Sequence, residues 1–139
     1  MIREAREWDI EPLAQLGERY AEKSGHPSSF DRASAFSTFS DLIRREDTLL
    51  LVNDDVSAAA ATWLFPLYLN MNDLIAECAF IWSDTPGDGR KMLQMCEEWG
   101  RNRGARYFHV YALKNRQRVI SLYERAGYSP LETTYMKEL

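Results

Sequence analysis

The apolar residues change their spacing at Thr48, and that change fixes the fold class. Before it they recur at helical intervals. Ile10, Leu13, Leu16 and Tyr20 fall on one face of a helix that Asp9 can cap and that runs to about Lys23. Ser24-Gly25-His26-Pro27-Ser28-Ser29 is a loop by composition, and Phe36, Phe39 and Ile43 space a second helix over roughly Asp31–Arg45. From Thr48 the period shortens. Thr48–Val52 is an apolar run suited to a strand buried on both faces. Asn53-Asp54-Asp55 turns the chain, Ser57–Phe65 returns antiparallel, and Leu74–Trp82 adds a third strand after the segment Pro66–Asn72. Helix resumes over about Arg90–Arg103, with Met92, Leu93, Met95, Cys96 and Trp99 on the buried side and Gly104 as the stop. Tyr107–Leu113 is a strand. Val119, Ile120, Leu122, Tyr123 and Ala126 mark a last helix closed by Gly127, and Thr133–Lys137 reads as a final strand. With a short first strand over Ile2–Ala5, the order is β-α-α-β-β-β-α-β-α-β, an α/β layout around one mixed sheet.

No linker, repeat or low-complexity tract interrupts the 139 residues, so they read as a single domain, 1–139. An apolar share of 45% supplies a core and argues against disorder. The net charge of −4 gives no general pull towards nucleic acid or anionic membrane. The charge is uneven, though: residues 90–125 hold 9 basic and 3 acidic groups, net +6. No apolar stretch follows Met1, so no secretory signal is read there. The longest uncharged run, the 17 residues Val56–Asn72, falls short of the roughly 20 apolar residues of a spanning helix. Cys78 and Cys96 are expected to be reduced packing thiols, which fits a cytoplasmic protein. Two His and two Cys, widely scattered, give no metal-ligand spacing.

Two stretches carry the chemistry. The first, Leu74 to Lys91, is a strand, a short loop with Gly87 and Gly89, and a helix start. A helix N-terminus presents free backbone N–H groups and a partial positive charge. Glycines there admit a ligand close to the backbone. With Arg90 and Lys91 added, the stretch reads as a phosphate cradle or, more blandly, as a tight strand-to-helix turn. The second runs from Lys114-Asn115 to Leu122-Tyr123-Glu124-Arg125-Ala126-Gly127-Tyr128, a strand end followed by a helix with a Leu-Tyr pair and a Gly-aromatic close.

In this order the two stretches resemble the GNAT superfamily of acyl-CoA-dependent N-acyltransferases, and the element order fits over the whole chain. The family's loop pattern, Gln/Arg-x-x-Gly-x-Gly/Ala, matches Asp84-Thr85-Pro86-Gly87-Asp88-Gly89. Its later motif matches Asn115 and Leu122–Tyr128, the most specific piece. The chain also resembles the short members encoded by tailed bacteriophages, which share its Met-Ile-Arg start and its size. Three departures stand out: Asp84 where the family has Gln or Arg, a second carboxylate at Asp88, and an Asn115-to-Tyr123 spacing one residue longer than usual.

The resemblance implies a mostly antiparallel sheet with helices on both faces and one splayed parallel strand pair. It implies acetyl-CoA as co-substrate, its pyrophosphate on Gly87, Asp88, Gly89, Arg90 and Lys91, with Asn115 nearby. The pantetheine would add to the strand edge at Phe80, Ile81 and Trp82. It implies direct attack by a primary amine, of a small molecule or a protein, through a tetrahedral intermediate. The amine needs a base, since its pKa lies near about 10.4. Glu77 resembles the glutamate that some histone-acetyltransferase relatives use, and Tyr123 would protonate the leaving thiolate. The alternatives are a solvent-facing strand carboxylate and a core aromatic, and Asn115 would otherwise cap the last helix. The implied partners are acetyl-CoA, an amine acceptor and, as often in the family, a second copy. With carboxylates in the loop, a GNAT-fold module without catalysis, such as a virion component, is the competing reading.

Overall fold

The computed structural model describes all 139 residues. Its sheet is built outward from the Thr48 run. Strand β2, Thr48–Val52, is buried at every position. It lies between β1 (Arg3–Glu4) and β3 (Ala58–Leu67), and β4 (Asn70–Ser83) and β5 (Tyr107–His109) complete the order β1-β2-β3-β4-β5. The first three pairings are antiparallel, and β4–β5 is parallel. Strand alternation divides the core. On one face Leu50, Val52, Ala59 and Ala61 meet helices α1 (Ile10–Lys23) and α2 (Arg32–Arg44). On the other Leu49, Leu51, Ala58 and Ala60 meet Met92 and Cys96 of α3 (Asp88–Asn102). The expected α/β sandwich with helices on both faces is what forms. Burying each large side chain, such as Leu13, Leu16 or Met92, contributes about 1.5–3 kcal/mol.

Several local expectations are corrected. No strand forms over Thr133–Lys137; that segment is exposed throughout. It pairs with no strand, not even with the outer edge of β5, and pattern without a hydrogen-bonding partner makes no strand. β5 ends at His109 rather than Leu113, because β4 and β5 diverge there. The segment Pro66–Asn72 is not a loop: β3 and β4 extend into it, leaving a turn at Tyr68-Leu69. Asp9 precedes α1 but does not cap it with its side chain. Its carboxylate accepts from the Arg3 guanidinium at 2.7 and 2.9 Å and from the Arg6 N–H at 2.7 Å.

The Arg3 guanidinium holds the Asp9 carboxyl below its usual range, with the Arg6 N–H adding to it. A depressed folded-state pKa stabilises above the unfolded value of about 3.9 and is lost as pH falls through the folded value. We therefore expect Asp9→Asn to lower the thermal midpoint at pH 7, with the gap to wild type closing below about pH 4.

α3 lies close to β4 because Gly100 has no side chain. A Cβ there would sit 2.7 Å from the Ala76 Cβ, and a rigid methyl cannot swing aside. Gly100→Val should destabilise by about 1–3 kcal/mol, read as a lower urea midpoint at unchanged slope. The last helix, α4, covers Gln117–Arg125.

Candidate active site

The parallel pair is short. Ile75, Ala76 and Glu77 pair with Tyr107, Phe108 and His109, and beyond Glu77 β4 runs on to Ser83 without β5. β3 still pairs with β4 on the other side, Phe80 with Ala61, Ile81 with Ala60 and Trp82 with Ala59. One edge of β4 is thereby left open. The Ser83 N–H points out of that edge, since it donates to the Tyr20 hydroxyl at 2.9 Å. Alternation along the strand directs the Ile81 N–H the same way. The Phe80 and Trp82 side chains are committed elsewhere: they stack at 3.8 Å and lie against the α1/α2 core. What the edge offers a ligand is therefore chiefly backbone, the Ile81 N–H above all.

β4 carries a bulge. Its register with β3 shifts between Phe80↔Ala61 and Cys78↔Thr62, so Ala79 is the extra residue. The shift puts Glu77 on the α1/α2 face together with Phe80 and Trp82, although simple alternation would oppose them. Glu77 is the register partner of Trp63, whose indole N–H donates to it at 2.6 Å. The Tyr111 hydroxyl donates to its other oxygen.

Tyr123, on α4, donates from its hydroxyl to the Tyr111 carbonyl at 3.1 Å. One residue therefore holds both candidate groups, Glu77 by its side chain and Tyr123 by its backbone. The Tyr128 ring, 5.7 Å from that of Tyr123, is fixed by its hydroxyl's 2.5 Å bond to Glu97. Burial, and secondarily Cys78, push the Tyr123 hydroxyl up to about 12. It is therefore protonated at neutral pH and able to donate.

The loop ahead of α3 divides its labour. Gly87 has φ +86° and nothing within 4 Å of a notional Cβ, so its backbone conformation suits glycine and its outer side is open. Gly89 packs instead: a Cβ there would lie 3.4 Å from that of Ser83 and 3.6 Å from the Ile81 side chain. Arg90 is exposed and forms no ion pair. Asp88 and Lys91 sit on a side of α3 remote from the open edge. Both line a groove with Met1 and Ile2, and Asp88 accepts from Asn53 at 2.9 Å. Helical spacing puts them there, three residues apart on one face. Asp84 is balanced by Arg19 at 3.3 Å and accepts from Tyr20 at 3.2 Å.

Asn115 lies exposed in the turn before α4 and does not cap it. Arg116 holds the N-cap position, without a side-chain capping bond. The extra residue of spacing before Tyr123 is the physical reason, since it moves Asn115 one place out. Cys78 and Cys96 are buried side by side on the α3 face, where hydrogen bonding to the Cys96 thiol and burial hold the Cys78 thiol well above its ordinary value. Trp63, Tyr111 and Tyr20 are the residues sequence reasoning missed. The hairpin register that pairs Trp63 with Glu77 was the available signal, hidden because Pro66–Asn72 reads as a loop.

No protein-family profile and no curated protein matches the sequence. Solved structures do match in shape. A Bacillus halodurans protein described as a transcriptional regulator superposes with a TM-score of 0.81 at 16% identity, covering 100% of this chain and 99% of that one. A putative acetyltransferase from Agrobacterium tumefaciens gives 0.78 at 15%, covering 100% and 99%. A predicted acetyltransferase from Clostridium acetobutylicum, solved with acetyl-CoA, gives 0.78 at 17%, covering 99% and 95%. At these identities the likeness is one of fold. The chain therefore has, over its whole length, the GNAT-type α/β fold that these structures share.

Proposed function

We propose that the protein is an acetyl-CoA-dependent N-acetyltransferase acting on a primary amine. The observation that carries this reading is the unpaired β4 edge with Glu77 and Tyr123 both tied to Tyr111 beside it. The Gly87 loop and the first N–H groups of α3 would take the pyrophosphate, with Arg90 as counter-charge. The outward N–H of Ile81 would polarise the thioester carbonyl. Glu77 would take a proton from the amine as its nitrogen bonds to the acetyl carbon. As the C–S bond breaks, Tyr123 would give its proton to the leaving thiolate. A cytoplasmic setting belongs to the same reading.

A catalytically silent GNAT-fold module is the second reading, favoured by one contact: the Tyr20 hydroxyl already caps the Ser83 N–H at the open edge. Calorimetric titration with acetyl-CoA and CoA at low salt separates the two. Micromolar binding supports the enzyme, whereas no heat up to millimolar ligand overturns it. Gly87→Val should weaken acetyl-CoA binding by about tenfold, because a β-branched residue at φ +86° is strained and closes the loop.

A further inference from the structure

Glu77 stands among aromatic rings and has no cationic partner. Both its oxygens are satisfied by neutral donors, the Trp63 N–H and the Tyr111 hydroxyl. His109 is its register neighbour on β5, and Phe65 meets the His109 ring edge-on at 6.4 Å and 69°. All five side chains are at least partly open to solvent, and Tyr111 is 50% exposed. Glu132 adds negative potential near the Tyr111 hydroxyl. A carboxylate satisfied only by neutral groups, bordered by ring faces and reachable from outside, suits a cation with an apolar stem. The charge meets Glu77, the stem covers the rings, and the rings attract the ammonium. A polyhydroxylated amine would instead lose hydroxyl hydration against Phe65 and Trp63 without recovering it.

We propose that this patch is the acceptor subsite and that it selects primary alkyl- and arylalkylammonium ions, the ammonium replacing the Tyr111 hydroxyl on Glu77. The inference rests on the acetyl-transfer reading only in calling the amine an acceptor, since binding stands apart from turnover. Tyr111 is then a placeholder that keeps the carboxylate satisfied until the amine arrives.

The test is calorimetric titration without acetyl-CoA, using 2-phenylethylammonium, its neutral isostere 2-phenylethanol, and glucosamine. The ammonium should bind saturably and at least about tenfold more tightly than either control. Phe65→Leu should weaken it about twofold to fivefold, and Tyr111→Phe, which keeps the ring and removes the competing donor, should tighten it. Glu77→Gln, with an unfolding midpoint matching wild type, should lose the preference for the ammonium over the alcohol. Equal binding of ammonium and alcohol, equal binding of glucosamine, or a preference surviving in Glu77→Gln would overturn the proposal. Weaker binding by Tyr111→Phe would overturn the placeholder step. Selective binding with no acetyl transfer to any amine would sink the enzymatic reading alone. Transfer to glucosamine but not to 2-phenylethylamine would sink this inference alone.

Discussion

Tyr123→Phe should lower kcat by about 10²–10⁴-fold while leaving the Kd for acetyl-CoA within a few-fold of wild type. The substitution keeps the ring against Tyr128 and removes only the hydroxyl, so the packing that seats α4 survives. What disappears is a donor beside the open edge whose pKa of about 12 keeps its proton at neutral pH. The sign follows from that value. Tyr123 is protonated below about 12, so it imposes no falling limb on the pH–rate profile of the wild type up to about pH 11. Stopped assays of thiol release at several pH values measure both. An unchanged kcat in the variant would return Tyr123 to the core.

The second large effect is expected at Glu77. Glu77→Gln is nearly isosteric and keeps an acceptor oxygen for the Trp63 N–H. It cannot take a proton, so kcat/KM near neutral pH should fall by about 10²–10⁴-fold. Raising the pH should narrow the gap, because more of the amine, with a pKa near about 10.4, arrives already deprotonated. A loss that is constant with pH would mean that the carboxylate orients the amine and does not accept its proton. Trp63→Phe separates these roles further: it frees one Glu77 oxygen and leaves the base in place.

Much of the architecture was legible in the residues. The β2 run, the two helices before it, and the α3 face through Met92, Leu93 and Cys96 all lie where spacing puts them, because in each the hydrophobic period matches one element and one burial direction. The failures have a common physical cause. Thr133–Lys137 alternates like a strand, but a strand also needs a neighbour's backbone, which a local pattern does not supply. Asn115 matches a motif, but one added residue moves it out of the cap. The candidate site was half visible. Glu77 and Tyr123 could be named from their motifs. Their common tether, Tyr111, lies past the end of β5, where no periodicity points. Asp84 and Asp88, which look forbidding beside a phosphate loop, are held by Arg19 and by Asn53, contacts made across 65 and 35 residues of sequence.

The extra residue at Ala79 gives β4 a parity. On its Ser83 side even-numbered residues face α1 and α2; on its Asn70 side odd-numbered ones do. Because Ala79 is surplus to the ladder, removing it would straighten the strand and leave Glu77 and Cys78 on their present faces, still opposite Trp63 and Thr62. A residue lost nearer the turn falls beyond Leu74, where a second irregularity between Pro66 and Leu67 already lets the two arms differ in length. Length variation in this arm of the hairpin is thus absorbed at two points on either side of Glu77, and the carboxylate keeps its face while the strand around it lengthens or shortens.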